Sequence, residues 1–488
     1  MGNGFVLADP GLQRAQAYIG GAWIDADDGS RFPVVNPADG RVIGEAPALG
    51  APECERAIAA AAAALPAWRA RPAKERSAIL RRWYQLVLDH QEDLAILLTA
   101  EGGKPLAEAR SEIAYGAAFL EWFAEEGKRV YGDVIPHQTP GRRLVVLKEP
   151  VGVVAAITPW NFPSAMITRK AAPALAVGCT MVVKPAEDTP LSALALAVLA
   201  ERAGVPAGVF NVVPCRDPVP VAEALTASPL VRKLSFTGSV EVGRLLMRAC
   251  ADTLKKVSFE LGGNAPFIVF DDADLEAAVT GAMTAKYRNA GQTCICANRF
   301  MIQDGLYESF CRRLAERVGP LRVGPGLEAG IQQGPLISTE AVTRVETLVS
   351  EAVALGARVI TGGRRHPCGE RFFEPTVLAD VTPAMRIARE EIFGPVAAVL
   401  RFSDEDQAVA IANDTDYGLA AYFYARDLGR VWRVAERLEY GMVAVNEGMF
   451  STEIAPFGGV KQSGFGREGS KYGIDEYVQT KYLCLGGI

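Results

Sequence analysis

Cys294 lies in the run Gly291-Gln292-Thr293-Cys294-Ile295-Cys296-Ala297-Asn298-Arg299. A cysteine in a Gly-introduced turn, followed by an apolar β-prone stretch, has the setting of a nucleophile. Taken alone, such a residue is more often a buried apolar one. A free thiol titrates near about 8.5, so a nucleophilic cysteine needs local help; backbone amides in the turn after the preceding helix can stabilise a thiolate. The chain has three histidines, His90, His137 and His366, none in a strong motif. A Cys–His hydrolase needs one beside the thiol. The best placed partner is instead Glu260, in Val257-Ser258-Phe259-Glu260-Leu261-Gly262-Gly263-Asn264. An ordinary solvated glutamate would also fit there, but a carboxylate at a strand end can activate water if its pKa is raised enough. Attack on a carbonyl makes an oxyanion that needs donors. One is the backbone N–H of Cys294. The other is the side-chain amide of Asn161 in Thr158-Pro159-Trp160-Asn161-Phe162-Pro163, which reads equally as a rigid turn capped by Asn.

No strand-linked Gly-x-Gly-x-x-Gly is present. Leu234-Ser235-Phe236-Thr237-Gly238-Ser239-Val240-Glu241-Val242-Gly243 instead runs from strand to turn to helix, a weak fingerprint alone. The N-terminus of that helix offers free N–H groups and a positive dipole end to a pyrophosphate. Lys184 and Glu187, in Lys184-Pro185-Ala186-Glu187, follow a strand on the same side and could hydrogen-bond adenosine ribose hydroxyls; solvated loop charges are the alternative. A carboxylate there repels a 2′-phosphate, which favours NAD, with NADP admitted by a side-chain swing. A thiol nucleophile, a carboxylate base and a βα nucleotide site together read as oxidation of an aldehyde through a thioester.

Those residues need elements to hold them. Residues 53–128 read as helical, with stretches Glu53 to Trp68, Ala73 to Leu98 and Leu106 to Gly127 broken at Pro and Gly. From Val151, strand and helix alternate: Val151–Ile157, Ala165–Val177, Met181–Lys184, Leu191–Ala203, Val209–Val213, Val219–Ala227, Lys233–Phe236, Val240–Ala251 and Lys256–Glu260. That alternation implies a parallel sheet covered by helices, with ligands outside the carboxyl ends of its strands. A second α/β stretch follows: Asp274–Ala290 helical, Ile295–Ile302 extended, Leu306–Val318 helical, then Thr339–Leu355, Arg358–Thr361, Phe373–Val381 and Ala397–Phe402 through Val443–Asn446. Arg142–Lys148 and Tyr477–Leu485 read as extended arms outside this core, whose edges need pairing. They are read as oligomer contacts in preference to a hairpin on one subunit.

The bulk composition is ordinary for a soluble enzyme: 488 residues, 49% hydrophobic and 22% charged. The length suggests two or three domains. A net charge of -6 implies no general attraction to nucleic acid or anionic membrane. No apolar run approaches the roughly 18–20 residues needed to span a bilayer. Met1 to Asp9 lacks the basic and apolar regions of a secretory leader. Nine scattered cysteines fit free thiols in a reducing cytoplasm, and no metal site is expected.

Taken in order, the motifs resemble those of the aldehyde dehydrogenase superfamily across nearly the whole chain. They are Pro159-Trp160-Asn161-Phe162-Pro163, Lys184-Pro185-Ala186-Glu187, Phe236-Thr237-Gly238-Ser239 with Gly243, and Glu260-Leu261-Gly262-Gly263. Gly291-Gln292-Thr293-Cys294, Glu391-Ile392-Phe393-Gly394-Pro395 and Pro456-Phe457-Gly458-Gly459 continue the match. The resemblance implies Cys294 as nucleophile, Asn161 as oxyanion donor and Glu260 as deacylation base. It implies Glu391 and Phe393 at the nicotinamide ribose and ring, Trp160 among the cofactor contacts, and Lys170 with Glu468 in a proton path. The implied fold is α/β: a Rossmann-type cofactor domain (1–128 and 149–261), an α/β catalytic domain (262–473) and a small β oligomerisation arm (129–148 and 474–488). A homodimer or homotetramer is expected.

Within the superfamily the chain resembles the succinate-semialdehyde branch, through Ala165-Met166-Ile167-Thr168-Arg169-Lys170, the doubled Cys294-Ile295-Cys296, and Ser463-Gly464-Phe465-Gly466-Arg467-Glu468-Gly469-Ser470-Lys471-Tyr472-Gly473. This implies that Arg169, Arg288 and Ser451 hold a small semialdehyde's distal carboxylate. Two guanidiniums and a hydroxyl suit one charged handle, although either arginine alone reads equally as a structural ion pair. Cys296 reads either as a redox partner that blocks Cys294 by a reversible disulfide or as a small side chain shaping the aldehyde pocket. The rival readings are a glutarate- or 2-oxoglutarate-semialdehyde dehydrogenase, a CoA-acylating enzyme, against which Glu260 argues, and a non-catalytic protein that kept the fold.

Overall fold

A computed structural model describes residues 5–487. Its largest sheet has eight strands, in the order Gly464–Phe465, Lys256–Glu260, Val231–Thr237, Val153–Ile157, Thr180–Lys184, Phe210–Val212, Ala17–Ile19, Ala22–Ile24. The five strands from Lys256–Glu260 to Phe210–Val212 are mutually parallel. Val153–Ile157 and Thr180–Lys184 are buried along their whole length, as a sheet covered on both faces requires. The chain moves outward one way from Val153–Ile157 to Phe210–Val212, then returns to place Val231–Thr237 on the other flank. Strand order therefore reverses between Val153–Ile157 and Val231–Thr237, and a crevice opens beyond their carboxyl ends. The loops there carry Asn161 and Gly238-Ser239.

A second sheet has seven strands: Arg358–Thr361, Thr376–Ala379, Val396–Phe402, Ala297–Gln303, Ala265–Val269, Ala420–Tyr424, Met442–Val445. Only Arg358–Thr361 runs antiparallel to its neighbour. The link between the sheets is short: Glu260 ends a strand of the first, and Ala265 begins one of the second. At the crossing, a side chain on Gly263 would meet the Cys294 carbonyl at 2.5 Å, so the chain comes this close only as glycine.

Several sequence expectations need correction. The helix expected over Ala73 to Leu98 is two, Ala73–Asp89 and Gln91–Gly102, divided at His90. The helix expected to end near Ala290 stops at Tyr287, because Asn289, Ala290 and Gly291 all have left-handed backbone. The strand expected from Ile295 begins at Ala297, after the turn that holds Cys294. The fully buried strand Ala265–Val269 went unrecognised, as did the N-terminal strands. Arg142–Pro150 and Val478–Gly486 pair with each other along their whole length within the chain, with Asp133–Pro136 as a third strand. The inner edges of those arms are thus satisfied without a second subunit. Among the described residues, no helix is long and apolar enough to cross a membrane.

Candidate active site

Two cavities meet at Cys294. The larger, about 570 Å³, is lined among others by Glu108, Tyr115, Arg169, Arg288, Ser451 and Phe457. The smaller, about 290 Å³, is lined by residues including Trp160, Asn161, Gly238, Glu260, Glu391 and Phe393. Cys294 and Met166 belong to both walls.

The turn that presents Cys294 is braced from behind. Gly291 has φ +76°, and a side chain there would strike the Gly394 carbonyl at 2.1 Å. Gln292 donates from Nε2 to the Asn289 carbonyl at 3.1 Å, and its Oε1 accepts from Ile337 N at 2.9 Å. The expected support of a thiolate by turn amides does not prevail. Burial pushes the Cys294 thiol up to about 12, Glu391 and Glu260 add to the rise, and Arg169 opposes it.

Asn161 donates from Nδ2 to the Gln292 carbonyl at 3.0 Å, which leaves one N–H of the amide for another acceptor, and its buried Oδ1 has no partner. Cys294 N makes no backbone hydrogen bond among the described residues. Both groups front the space beside the thiol. Glu260 ends its strand, is buried, and leaves Oε2 without a partner. Burial and the nearby Glu468 raise its carboxyl well above the usual range, against the pull of Arg169 and Lys170. Glu468 goes the other way. Burial would raise it, but Lys170 and Arg169 hold it below the ordinary carboxylate range. Two neighbouring carboxyls pushed apart in this way can divide acid and base roles.

Lys170 pairs with Glu468 and donates to Thr237 Oγ1 at 2.8 Å; neither Lys170 nor Glu468 lines a cavity wall. Arg169 Nη2 lies 2.7 Å from Glu468 Oε2 as an ion pair without a hydrogen bond's alignment. Its guanidinium sits 4.1 Å from the Phe457 ring centroid. Arg288 reaches Met449 Sδ at 2.9 Å, and Ser451 Oγ shares a 2.6 Å hydrogen bond with Tyr115 Oη. Cys296 points Sγ at the Lys286 carbonyl, 3.5 Å away, and Ile295 takes the place on the cavity wall. Both Cys294 and Cys296 are free thiols.

On the other side, Ser239 caps the helix Val240–Ala251 by accepting from Val242 N. The remaining first-turn amides have no partner within the helix. Gly238 N donates to the Glu260 carbonyl at 3.1 Å, and Gly243 N to that of Ser239 at 2.9 Å. Glu391 Oε1 accepts from Gly263 N at 3.0 Å, and burial lifts its carboxyl to about 7. Phe393, at φ +52°, meets Trp160 edge-on with centroids 5.6 Å apart. An aromatic corner, a carboxyl and an open helix end along one cavity fit a dinucleotide. Lys184 and Glu187 sit one strand further out, joined by a 2.8 Å ion pair, and do not line this cavity.

Sequence reasoning missed the wall supplied by the helix Leu106–Glu126. Glu108, Glu112, Tyr115 and Phe119 follow its i, i+4, i+7, i+11 face. Glu108 Oε2 accepts from Asn289 N at 2.7 Å, and burial raises its carboxyl above the usual value. The spacing was visible in the sequence, but acidic residues at such positions usually face water.

A family model described as "Aldehyde dehydrogenase family" matches residues 23–483. The glutarate-semialdehyde dehydrogenase of Pseudomonas aeruginosa is 61% identical over 99% of this chain and 100% of its own length. The NADP(+) succinate-semialdehyde dehydrogenase of Escherichia coli is 60% identical over 98% of this chain and 99% of its own. The crystal structure of succinate-semialdehyde dehydrogenase from Burkholderia pseudomallei superposes with a TM-score of 0.98 at 60% identity, covering 99% of this chain and 100% of that one. With the match running through both sheets and every motif of the site, the chain belongs to the aldehyde dehydrogenase family.

Proposed function

We propose that the protein oxidises succinate semialdehyde to succinate with NAD or NADP, through a thioester on Cys294. The observation that carries this reading is the junction at Cys294, with a cavity bearing Trp160, Ser239, Glu391 and Phe393 on one side and a cavity bearing Arg169, Arg288 and Ser451 on the other. The aldehyde enters the larger cavity with its carboxylate toward those three side chains, and charge-assisted hydrogen bonds fix it. Cys294 Sγ attacks the carbonyl as its proton leaves to a base. That base is solvent water at the mouth of the cavity, so Glu260 is kept for the second step. The oxyanion rests on Asn161 Nδ2 and Cys294 N. NAD or NADP, held by Trp160, Gly238, Ser239, Glu391 and Phe393, supplies the hydride acceptor. Glu260 Oε2 then draws a proton from water, which attacks the thioester and frees Cys294. Lys170 and Glu468 lie behind Glu260 and take that proton onward.

Glu187 opposes a 2′-phosphate, but its side chain is 35% exposed and can turn out from Lys184, so both cofactors are accommodated. The active molecule is a homo-oligomer that uses the three-stranded sheet, which exposes Val134, Ile135, Leu147, Tyr482 and Leu485. Its domains are a cofactor domain (1–128 and 149–261), a catalytic domain (262–473) that lends the strand Gly464–Phe465 to the first sheet, and the arm (129–148 and 474–488). Nine free cysteines suit a reducing compartment, and we place the enzyme in the cytoplasm.

Glutarate semialdehyde is the second reading, because a cavity of about 570 Å³ leaves room beyond a four-carbon chain. The test is initial-rate NAD(P)H formation with succinate, glutarate and 2-oxoglutarate semialdehydes against butanal. A much higher kcat/KM for the acids supports the carboxylate pocket, and the best acid sets the chain length. Equal rates on butanal remove Arg169, Arg288 and Ser451 as the basis of selectivity.

A further inference from the structure

The turn Gly103-Lys104-Pro105 and the helix after it hold a buried ion pair that the reaction scheme leaves unused. Lys104 and Glu112 pair with side chains 2% and 1% exposed. Lys104 Nζ donates to the main-chain carbonyl of Asn161 at 2.7 Å and lies 3.9 Å from the Phe162 ring centroid. Glu112 Oε1 accepts from Ser164 N at 3.0 Å and Ala165 N at 3.3 Å, at the start of the helix that carries Arg169 and Lys170. The Asn161 carbonyl takes a second hydrogen bond from Asn289 Nδ2 at 3.2 Å. Asn289 Nδ2 also reaches the Gln292 carbonyl at 3.2 Å, the same oxygen that anchors the Asn161 side chain. Lys104 itself is held in place, since the chain just after it is tied down by Leu106 N donating to the Gly326 carbonyl at 3.0 Å.

A fully buried ion pair is a poor stabiliser, because desolvation offsets most of the Coulombic gain and an apolar replacement is often as stable. Here Lys104 donates both to Glu112 and to the Asn161 carbonyl, one residue of the loop that faces Cys294. We infer that Lys104, held by Glu112, is a positioning residue: it fixes the Asn161 carbonyl and, through it, the side-chain amide that receives the oxyanion. The inference rests on the reading of Asn161 as oxyanion donor. Preorganised donors work only when they are already aimed at the developing charge, and a displacement of about 1 Å can cost roughly 10²-fold in rate.

The experiment is a mutant cycle on the full chain, read as the pre-steady-state burst of NADH with succinate semialdehyde and NAD, alongside KM and the cofactor Kd. Asn161→Ala should slow the burst by about 10²-fold. Lys104→Met should slow it by about tenfold, with KM and cofactor Kd within about twofold of wild type. The double variant should be no slower than Asn161→Ala alone, because Lys104 then has no donor left to position. If the two losses multiply, or if Lys104→Met keeps the wild-type burst while Asn161→Ala is slow, the inference is overturned. A normal burst in Asn161→Ala removes the oxyanion reading itself and the inference with it. Should Lys104→Met fail to fold, Lys104→Met/Glu112→Gln, which strands no charge, is read in the same way.

Discussion

The two cavities that meet at Cys294 are built from different material. The smaller is walled by turns that leave strand ends, and part of what it offers is backbone: the amide of Ser239 at a helix start, beside the Glu391 carboxyl, whose place the backbone amide of Gly263 fixes. The larger is walled by side chains from distant stretches, with Tyr115 from one helix, Arg169 from another, and Ser451 and Phe457 from late loops. A backbone site tolerates little change without loss of the fold around it. A side-chain site can be retuned residue by residue. Relatives about 60% identical to this chain accordingly bear names with different acid aldehydes, glutarate semialdehyde and succinate semialdehyde.

That contrast can be broken at its shared point first. Cys294→Ala should cut turnover by about 10⁵-fold or more while cofactor affinity stays, since the smaller cavity loses only one wall atom. Turnover near wild type would displace Cys294 from the chemistry. Glu260→Gln comes next, with a steady-state loss of about 10²–10³-fold and a retained hydride burst. The sign of the pH dependence follows from its raised pKa. Glu260 works as a base only when ionised, so wild-type deacylation should fall as pH drops through a midpoint above the ordinary carboxylate range, and Glu260→Gln should lack that limb. An acid limb unchanged in Glu260→Gln would assign it to another group.

Arg288→Met probes the larger cavity alone. It should lower kcat/KM for succinate semialdehyde by about 30-fold or more and leave butanal nearly untouched. Equal losses on both would make Arg288 structural. The smallest effect belongs to the adenosine end. Glu187→Ala should raise the NADP-to-NAD ratio of kcat/KM by about tenfold, from relief of one like-charge contact. An unchanged ratio would show that Glu187 stays turned away from the ribose.

The same contrast explains what could be read from sequence. Ala165–Val177, Val240–Ala251 and Lys256–Glu260 stand at the expected residues, because strand and helix alternation is a local signal. Asn161 and Glu260 were placeable because each sits at a strand's carboxyl end. The N-terminal strands Ala17–Ile19 and Ala22–Ile24 are three residues each, too short to show a period. Ala265–Val269 is apolar throughout, and such a run cannot be told from buried helix by periodicity. Lys104, Glu108 and Glu112 were illegible for another reason. Their partners Asn161, Asn289 and Ser164 are remote in the chain, and only the packing of the helix Leu106–Glu126 against the helix Ala165–Val177 turns an acidic face inward.

The crossing at Gly262-Gly263 leaves Glu260, the proposed base, on one sheet and Cys294, the proposed nucleophile, beside the other. A chain with one half folded therefore owns a thiol without a base, or a base without a thiol. Chemical competence appears only when the halves dock, and the contact of Gly263 against the Cys294 carbonyl is the seam at which that docking is registered.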